Sequence, residues 1–331
     1  IQDTNSNNNT VAGNWVGLDE TGNGTIANGS AGIFITNNAQ YNLVGTNSDT
    51  KSDDLERNVA SGNYTDGLLI TNAHNNELVG NWVGTNATGT AALGNRLSGI
   101  AVYGGASNNQ IGTDGDGVRD DIEGNLVAAS GTFGVYLGNG GTDDNELFGN
   151  IIGTDSTLTE DWGSGNDGLR LFGGALGNEI GGYGTKGNVF AFSGQDGIVV
   201  LGDSTQNNPI QGNAIFGSSQ LGIDIYDNGV TTNDAGDSDS GPAGVLNFPV
   251  LESVAISGGN LVVSGFARPG SEIDLFISDT DVTGFGEGKV YLTTVSEGSE
   301  ADGDDNTGSY SYPLIGTDTT NRFSFDIPLT S

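Results

Sequence analysis

A glycine followed by alternating apolar residues recurs seven times along the chain: Gly32-Ile33-Phe34-Ile35, Gly67-Leu68-Leu69-Ile70, Gly99-Ile100-Ala101-Val102, Gly134-Val135-Tyr136-Leu137, Gly168-Leu169-Arg170-Leu171, Gly197-Ile198-Val199-Val200 and Gly222-Ile223-Asp224-Ile225. Apolar residues at the first and third positions after the glycine have the period of two that puts one row of side chains on one face of a strand. A second short strand, headed by Asn, carries Leu43, Leu78, Ile111, Leu147, Ile180 and Ile210, and a third opens with Asn58, Asn81, Asn125, Asn150, Asn188 and Asn213. No stretch keeps apolar residues at helical spacing over eleven or more positions, so the chain is predicted to be all-β.

The distances between these landmarks carry further information. From the third-strand Asn to the next glycine is 9 residues after Asn58, Asn125, Asn188 and Asn213, but 18 after Asn14, Asn81 and Asn150. From the second-strand apolar residue to the third-strand Asn is 3 residues after Leu78, Leu147 and Ile210, but 15, 14 and 8 after Leu43, Ile111 and Ile180. Insertions therefore alternate between two corners, and Asn14, Asn81 and Asn150 mark a two-coil repeat of 67 and 69 residues.

Three short strands per turn with Gly or Asn corners predict a parallel β-helix of about seven coils, each stacked about 4.8 Å above the last. Gly supplies positive φ at the corners, and Asn tolerates it next best. Asn42, Asn76, Asn109, Asn145, Asn178 and Asn208 recur at one position, so their amides are expected to bond up and down the stack. The segments GNWVGTNATGTAALGN (80–95), RNVASGN (57–63) and VTTNDAGDSDSGP (230–242, before NFPVL) resemble those of bacterial secreted or cell-surface proteins with right-handed parallel β-helix repeats of the pectate-lyase-like type. The resemblance covers nearly the whole chain and implies a fold more than an activity, because proteins with these repeats are mostly large surface proteins without assigned catalysis.

Beyond Ile225 the coil pattern stops. Residues 1–227 read as the β-helix, 228–245 as an acidic Gly/Asp linker, and 246–331 as a second domain. Six alternating segments follow the linker, at Val250 to Ile256, Leu261 to Ala267, Glu272 to Ser278, Lys289 to Val295, Tyr310 to Leu314 and Phe323 to Leu329. Turn residues separate them, the pattern of an antiparallel β-sandwich. The string GFGEGKVYL (284–292) resembles the immunoglobulin-like module that follows such β-helices, a module expected to cap the open last coil.

Charge narrows the partners. The 42 acidic residues, 30 of them Asp, against 9 basic ones give a formal net charge of −33. Such a surface repels phosphate backbones and anionic lipid heads and attracts cations. No apolar run approaches the ~20 residues that span a bilayer. The 331 residues contain neither Cys nor Met, which excludes disulfides and thiolate chemistry; a processed or excised piece of a bacterial extracellular protein is expected.

Calcium is the cofactor this composition favours. The insertion GTDGDGVRDDIEG sets Asp114, Asp116, Val118, Asp120 and Glu123 at positions 3, 5, 7, 9 and 12 of an EF-hand-like loop, with Gly112 at position 1 offering no side-chain ligand. Asp234, Asp237 and Asp239 in the linker, and Asp302, Asp304 and Asp305 in the last domain, are further candidates.

Catalysis is not expected. A β-eliminating lyase needs a base beside a cation, and the one histidine, His74, reads as a solvated turn residue. Arg170 and Asp224 fall at equivalent outward positions two coils, or about 10 Å, apart. Close acid pairs such as Asp120-Asp121 and Asp143-Asp144 are ordinary in so acidic a chain. Thr ranks that would bind ice are absent from the outward row. Trp15 and Trp82 share the third-strand position two coils apart, suited either to stacking sugars or, in preference, to filling space under the insertions.

The sequence thus points to a non-catalytic extracellular rod, structural or adhesive, stabilised by calcium and contacting other copies or neighbouring domains of a larger surface protein or filament. The alternative is a β-helix that binds or cleaves an extracellular polysaccharide, as a lyase or glycoside hydrolase.

Overall fold

The computed structural model describes residues 1–280, 283–284, 286–304 and 306–329. Three parallel sheets of seven strands each fill residues 10–225. Strands consecutive in sequence belong to different sheets, so each turn of chain adds one strand to all three. One turn runs through Ile198–Leu201, Ile210–Gln211 and Ala214–Phe216, which pair in register with Leu169–Phe172, Glu179–Gly181 and Val189–Ala191. This is a parallel β-helix of about seven coils, and parallel crossovers of this kind take the right hand.

Alternation builds the core as ranks of like side chains. Leu68, Ile100, Val135, Leu169 and Ile198 stack in the first sheet, and Leu78, Ile111, Leu147 and Ile180 in the second. All of these are buried to 1 % exposure or less. The second rank begins at Val44 rather than at Leu43: Val44 pairs with Leu78 and is fully buried, whereas Leu43 lies opposite Glu77 on the outer face. With that correction the interval to the next third-strand Asn is 14 residues after both Val44 and Ile111. An earlier strand, Thr10–Val11, which the apolar pattern did not reveal, pairs with Leu43–Gly45.

The predicted Asn row forms a continuous ladder, and the Asn residues that open the third strands form a second one that was not expected. In the first, each side-chain amide from Asn9 through Asn42, Asn76, Asn109, Asn145 and Asn178 donates to the next Asn carbonyl oxygen at 2.8–3.1 Å, ending at Asn208. The same oxygens accept the backbone N–H of the preceding ladder residue. A second ladder runs likewise through Asn14, Asn58, Asn81, Asn125, Asn150, Asn188 and Asn213. The residue before each first-ladder Asn turns the corner with φ near 55–65°, which suits Asn8, Asn75, Asn108 and Asn207 but is costly for Tyr41.

The alternation of insertions has a geometric cause. A loop that leaves and rejoins one coil is two chains thick, about 9.6 Å at ordinary strand spacing, whereas one coil supplies only about 4.8 Å. Loops at one corner therefore fit only on every second coil, with the intervening coil tight there. Loops 18–31, 85–98 and 154–167 line one flank, and 46–57, 113–124 and 182–187 line the other.

The C-terminal region is antiparallel. Val250–Ser257, Asn260–Ala267, Gly316–Pro328 and Thr307–Tyr312 form a four-stranded sheet, and Glu272–Ser278 pairs with Gly288–Ser296 in a second. Val263, Ala267, Phe323 and Phe325 of the first sheet pack on Ile273 and Leu275 of the second, making a small β-sandwich. Its last strand begins at Gly316, earlier than the apolar pattern indicates, because the polar stretch Thr317–Thr320 pairs with Gly308–Ser311.

Candidate functional site

The two larger insertions of one flank are copies of a single loop. In the first, the Thr46 hydroxyl and the Asn47 N–H donate to Glu56 Oε2 at 3.1 and 3.0 Å; in the second, Thr113 and the Asp114 N–H donate to Glu123 Oε2 at 2.8 and 3.3 Å. Each Glu ends a single helical turn, Asp53–Glu56 or Asp120–Glu123, and closes the base of its loop. The first residue of each turn is gripped by the next insertion along the flank. Arg119 Nη1 lies 2.8 Å from Asp53 Oδ2, and the Thr185 hydroxyl donates to Asp120 Oδ2 at 2.5 Å.

Of the five residues expected to ligate calcium here, three come together: carboxylate oxygens of Asp114, Asp120 and Glu123 all lie within 4.8 Å of one another. Asp116 stands outside the group and accepts the Val118 N–H at 2.6 Å, and Val118 itself is exposed. The Thr185 hydroxyl holds the Asp120 carboxyl below its usual range. Glu77, on the neighbouring coil, is pushed up, first by partial burial and then by the Asp114 and Glu123 charges. Three carboxylates with open lone pairs are the hard-oxygen donors that Ca²⁺ takes.

Asp234, Asp237 and Asp239 also converge within 4.8 Å. Asp237 pairs with Arg268 at 2.9 Å and accepts the Asn247 N–H, and Asp234 accepts the N–H and hydroxyl of Ser238. Of the third candidate group, Asp302 accepts the Ser324 and Gly298 N–H groups and Asp304 pairs with Arg322 at 3.1 Å. Asp305 lies outside the described residues.

Arg170, Val199 and Asp224 stand in register across three coils, as the spacing predicts. Asp224 is nonetheless buried, because the chain folds back and its Gly229 N–H donates to the Asp224 carboxylate at 2.8 Å. Arg170 pairs with Asp167 at 2.8 Å and with Asp227. Asp167 and Asp196 are fully buried, and among the described residues Asp167 Oδ1 and Asp196 Oδ2 have no hydrogen-bond donor. Burial, reinforced by Asp224, Asp167 and Asp227, pushes the Asp196 carboxyl up to about 6. The sequence did carry a signal for these two, since Asp66-Gly67, Asp167-Gly168 and Asp196-Gly197 repeat an Asp directly before a coil glycine.

The remaining candidates are structural in their contacts. His74 is half-buried, with Nδ1 2.9 Å from the Ser107 hydroxyl on the next coil. Trp15 and Trp82 flank Val59 in one register, and the insertion glycines Gly22 and Gly89 press on their rings; a Cβ at Gly89 would stand 2.6 Å from Trp82. Arg57 covers the Trp82 ring at 4.1 Å. On the outer face of the first sheet Tyr136 meets Phe133 and Tyr103, with Arg170 over Phe133. No helix among the described residues is long and apolar enough to cross a membrane.

No protein-family model matches this chain, and a search of curated proteins finds no match to it either.

Proposed function

We propose that this chain is a non-catalytic structural segment of an extracellular bacterial surface protein or filament, with an immunoglobulin-like C-terminal module and calcium at Asp114, Asp120 and Glu123 and at Asp234, Asp237 and Asp239. The observation that supports it best is continuity. Both Asn ladders run unbroken through seven residues each, from Asn9 to Asn208 and from Asn14 to Asn213, beside core ranks that never lose register. Such a spine, about 35 Å of stacked strand, transmits load along its axis through backbone and amide bonds at every coil. Its contacts are to neighbouring domains or other copies of the same surface protein, and the strongly negative surface keeps nucleic acid away.

The second reading is glycan binding or cleavage along the first sheet, favoured by the Phe133, Tyr136 and Tyr103 cluster beside Arg170. Incubating the protein with neutral and acidic polysaccharides, with calcium and again with chelator, separates the two. Products of unchanged size are expected; calcium-dependent shortening of any glycan would establish the second reading in place of the first.

A further inference from the structure

The C-terminal sandwich covers the last coil unevenly. Its two-stranded sheet lies over the second and third strands of that coil: Asp274 accepts the Gly212 N–H at 2.9 Å, and Glu287 accepts the Ser218 N–H at 3.1 Å. Among the described residues the first strand, Ile223–Ile225, pairs only with Ile198–Leu201. Ile198 donates to the Gly222 carbonyl and Tyr226 to that of Val200, so the even-numbered residues face the neighbouring strand. The N–H and C=O groups of Ile223 and Ile225 point the other way. Thr231 takes the Ile225 carbonyl, and among the described residues nothing bonds the backbone of Ile223.

Beside this edge lies an apolar slot of about 440 Å³, lined by Ile223, Ile225, Val230, Val245, Leu246 and Phe248. Its volume is in the range of ligand sites. Ile223, Leu246 and Phe248 are 45, 55 and 38 % exposed, an apolar patch at the mouth of the slot. The charge around it is predominantly negative, Asp227 and Asp237 being paired with Arg170 and Arg268 and Asp234 and Asp239 with no cation among the described residues. From residue 187 to residue 267 there is no Lys or Arg, while the segment from 221 to 248 carries Asp224, Asp227, Asp234, Asp237 and Asp239.

We propose that the Ile223–Ile225 edge and its slot take an extended peptide segment of a partner protein, with apolar side chains alternating with Lys or Arg, as an added strand. The edge supplies main-chain bonds, the slot seats the apolar side chains, and the acidic surround selects the cationic ones. The inference is independent of the proposed structural role, because a glycan-active β-helix would expose the same edge.

The probe is a fluorescein-labelled heptapeptide alternating lysine with isoleucine or valine, titrated by fluorescence polarisation. A second peptide of equal charge carries proline at its centre and cannot complete the strand. The exposed positions allow Ile223→Thr and Leu246→Gln without loss of the core, which melting confirms. Micromolar binding is expected, weakened about tenfold by the proline and by each substitution. Equal binding of both peptides to all three proteins would reduce the effect to overall charge and overturn the proposal, as would no binding of the lysine–isoleucine peptide.

Discussion

Arg119 reaches back two coils to hold Asp53, its guanidinium 2.8 Å from a carboxylate that is only 3 % exposed. Asp53 and Asp120 are the same residue of a duplicated loop, and Asp120 is held in turn by Thr185 from the next insertion. The flank is thus a chain of clasps, each loop fastening the one before it.

Removing the guanidinium leaves Asp53 buried without its counter-ion, which costs more than the pair itself contributes. Arg119 has φ 64°, so Arg119→Asn keeps a residue that tolerates this backbone. It is expected to destabilise the protein by about 2 kcal/mol in urea unfolding, and adding Asp53→Asn is expected to restore most of that loss.

Asn109 sits mid-ladder, fully enclosed, donating to the Ala73 carbonyl and to Asn145 and accepting from Asn76. Asn109→Ala orphans groups on both neighbouring coils. A loss of about 3 kcal/mol is expected, against under about 1 kcal/mol for Asn14→Ala at the exposed end of the second ladder, by the same unfolding measurement.

Asp196 ionises near 6 in the folded protein against 3.8 for the ordinary carboxyl. Its contribution to stability is complete below about 4 and is lost as the pH rises through 6, where a buried carboxylate faces Asp167, Asp224 and Asp227. Asp196→Asn keeps the acceptor for the Leu221 N–H and removes the charge. The variant is expected to exceed the parent by about 2 kcal/mol at pH 7.5, with the advantage vanishing by pH 4 in parallel urea titrations.

Calcium bound at Asp114, Asp120 and Glu123 would stabilise the folded chain by about 2.7 kcal/mol at a hundred times its dissociation constant. Melting with calcium and with chelator reads this directly. Calcium is expected to raise the melting temperature, and Asp114→Asn with Asp120→Asn to remove part of the rise. The rest should disappear with Asp239→Asn.

The spine was legible because a parallel stack repeats its corners: every coil needs a glycine before the first strand and an amide at the next corner, and both recur at countable intervals. Leu43 was assigned in place of Val44 because both are apolar, and only the pairing of Leu43 with Glu77 separates the outward from the inward residue. The clasps were not legible. Asp53 and Arg119 are 66 residues apart, and nothing in either loop states that insertions two coils apart touch. Asp116 and Val118 fit an EF-hand spacing by count, but the helical turn at Asp120–Glu123 folds the loop onto Thr113 and leaves them outside the carboxylate group. Burial of Asp167 and Asp196 beside their corner glycines was not legible, because it depends on the chain that folds over them.

Load along the axis is the central claim, and pulling one molecule between its ends tests it most directly. The chain has no cysteine, so single thiols introduced near residues 1 and 329 give unambiguous handles. The coils are expected to resist as one body and then yield in discrete steps, at forces above those that open the small C-terminal sandwich. Coils that unravel smoothly, or before the sandwich does, would contradict the account.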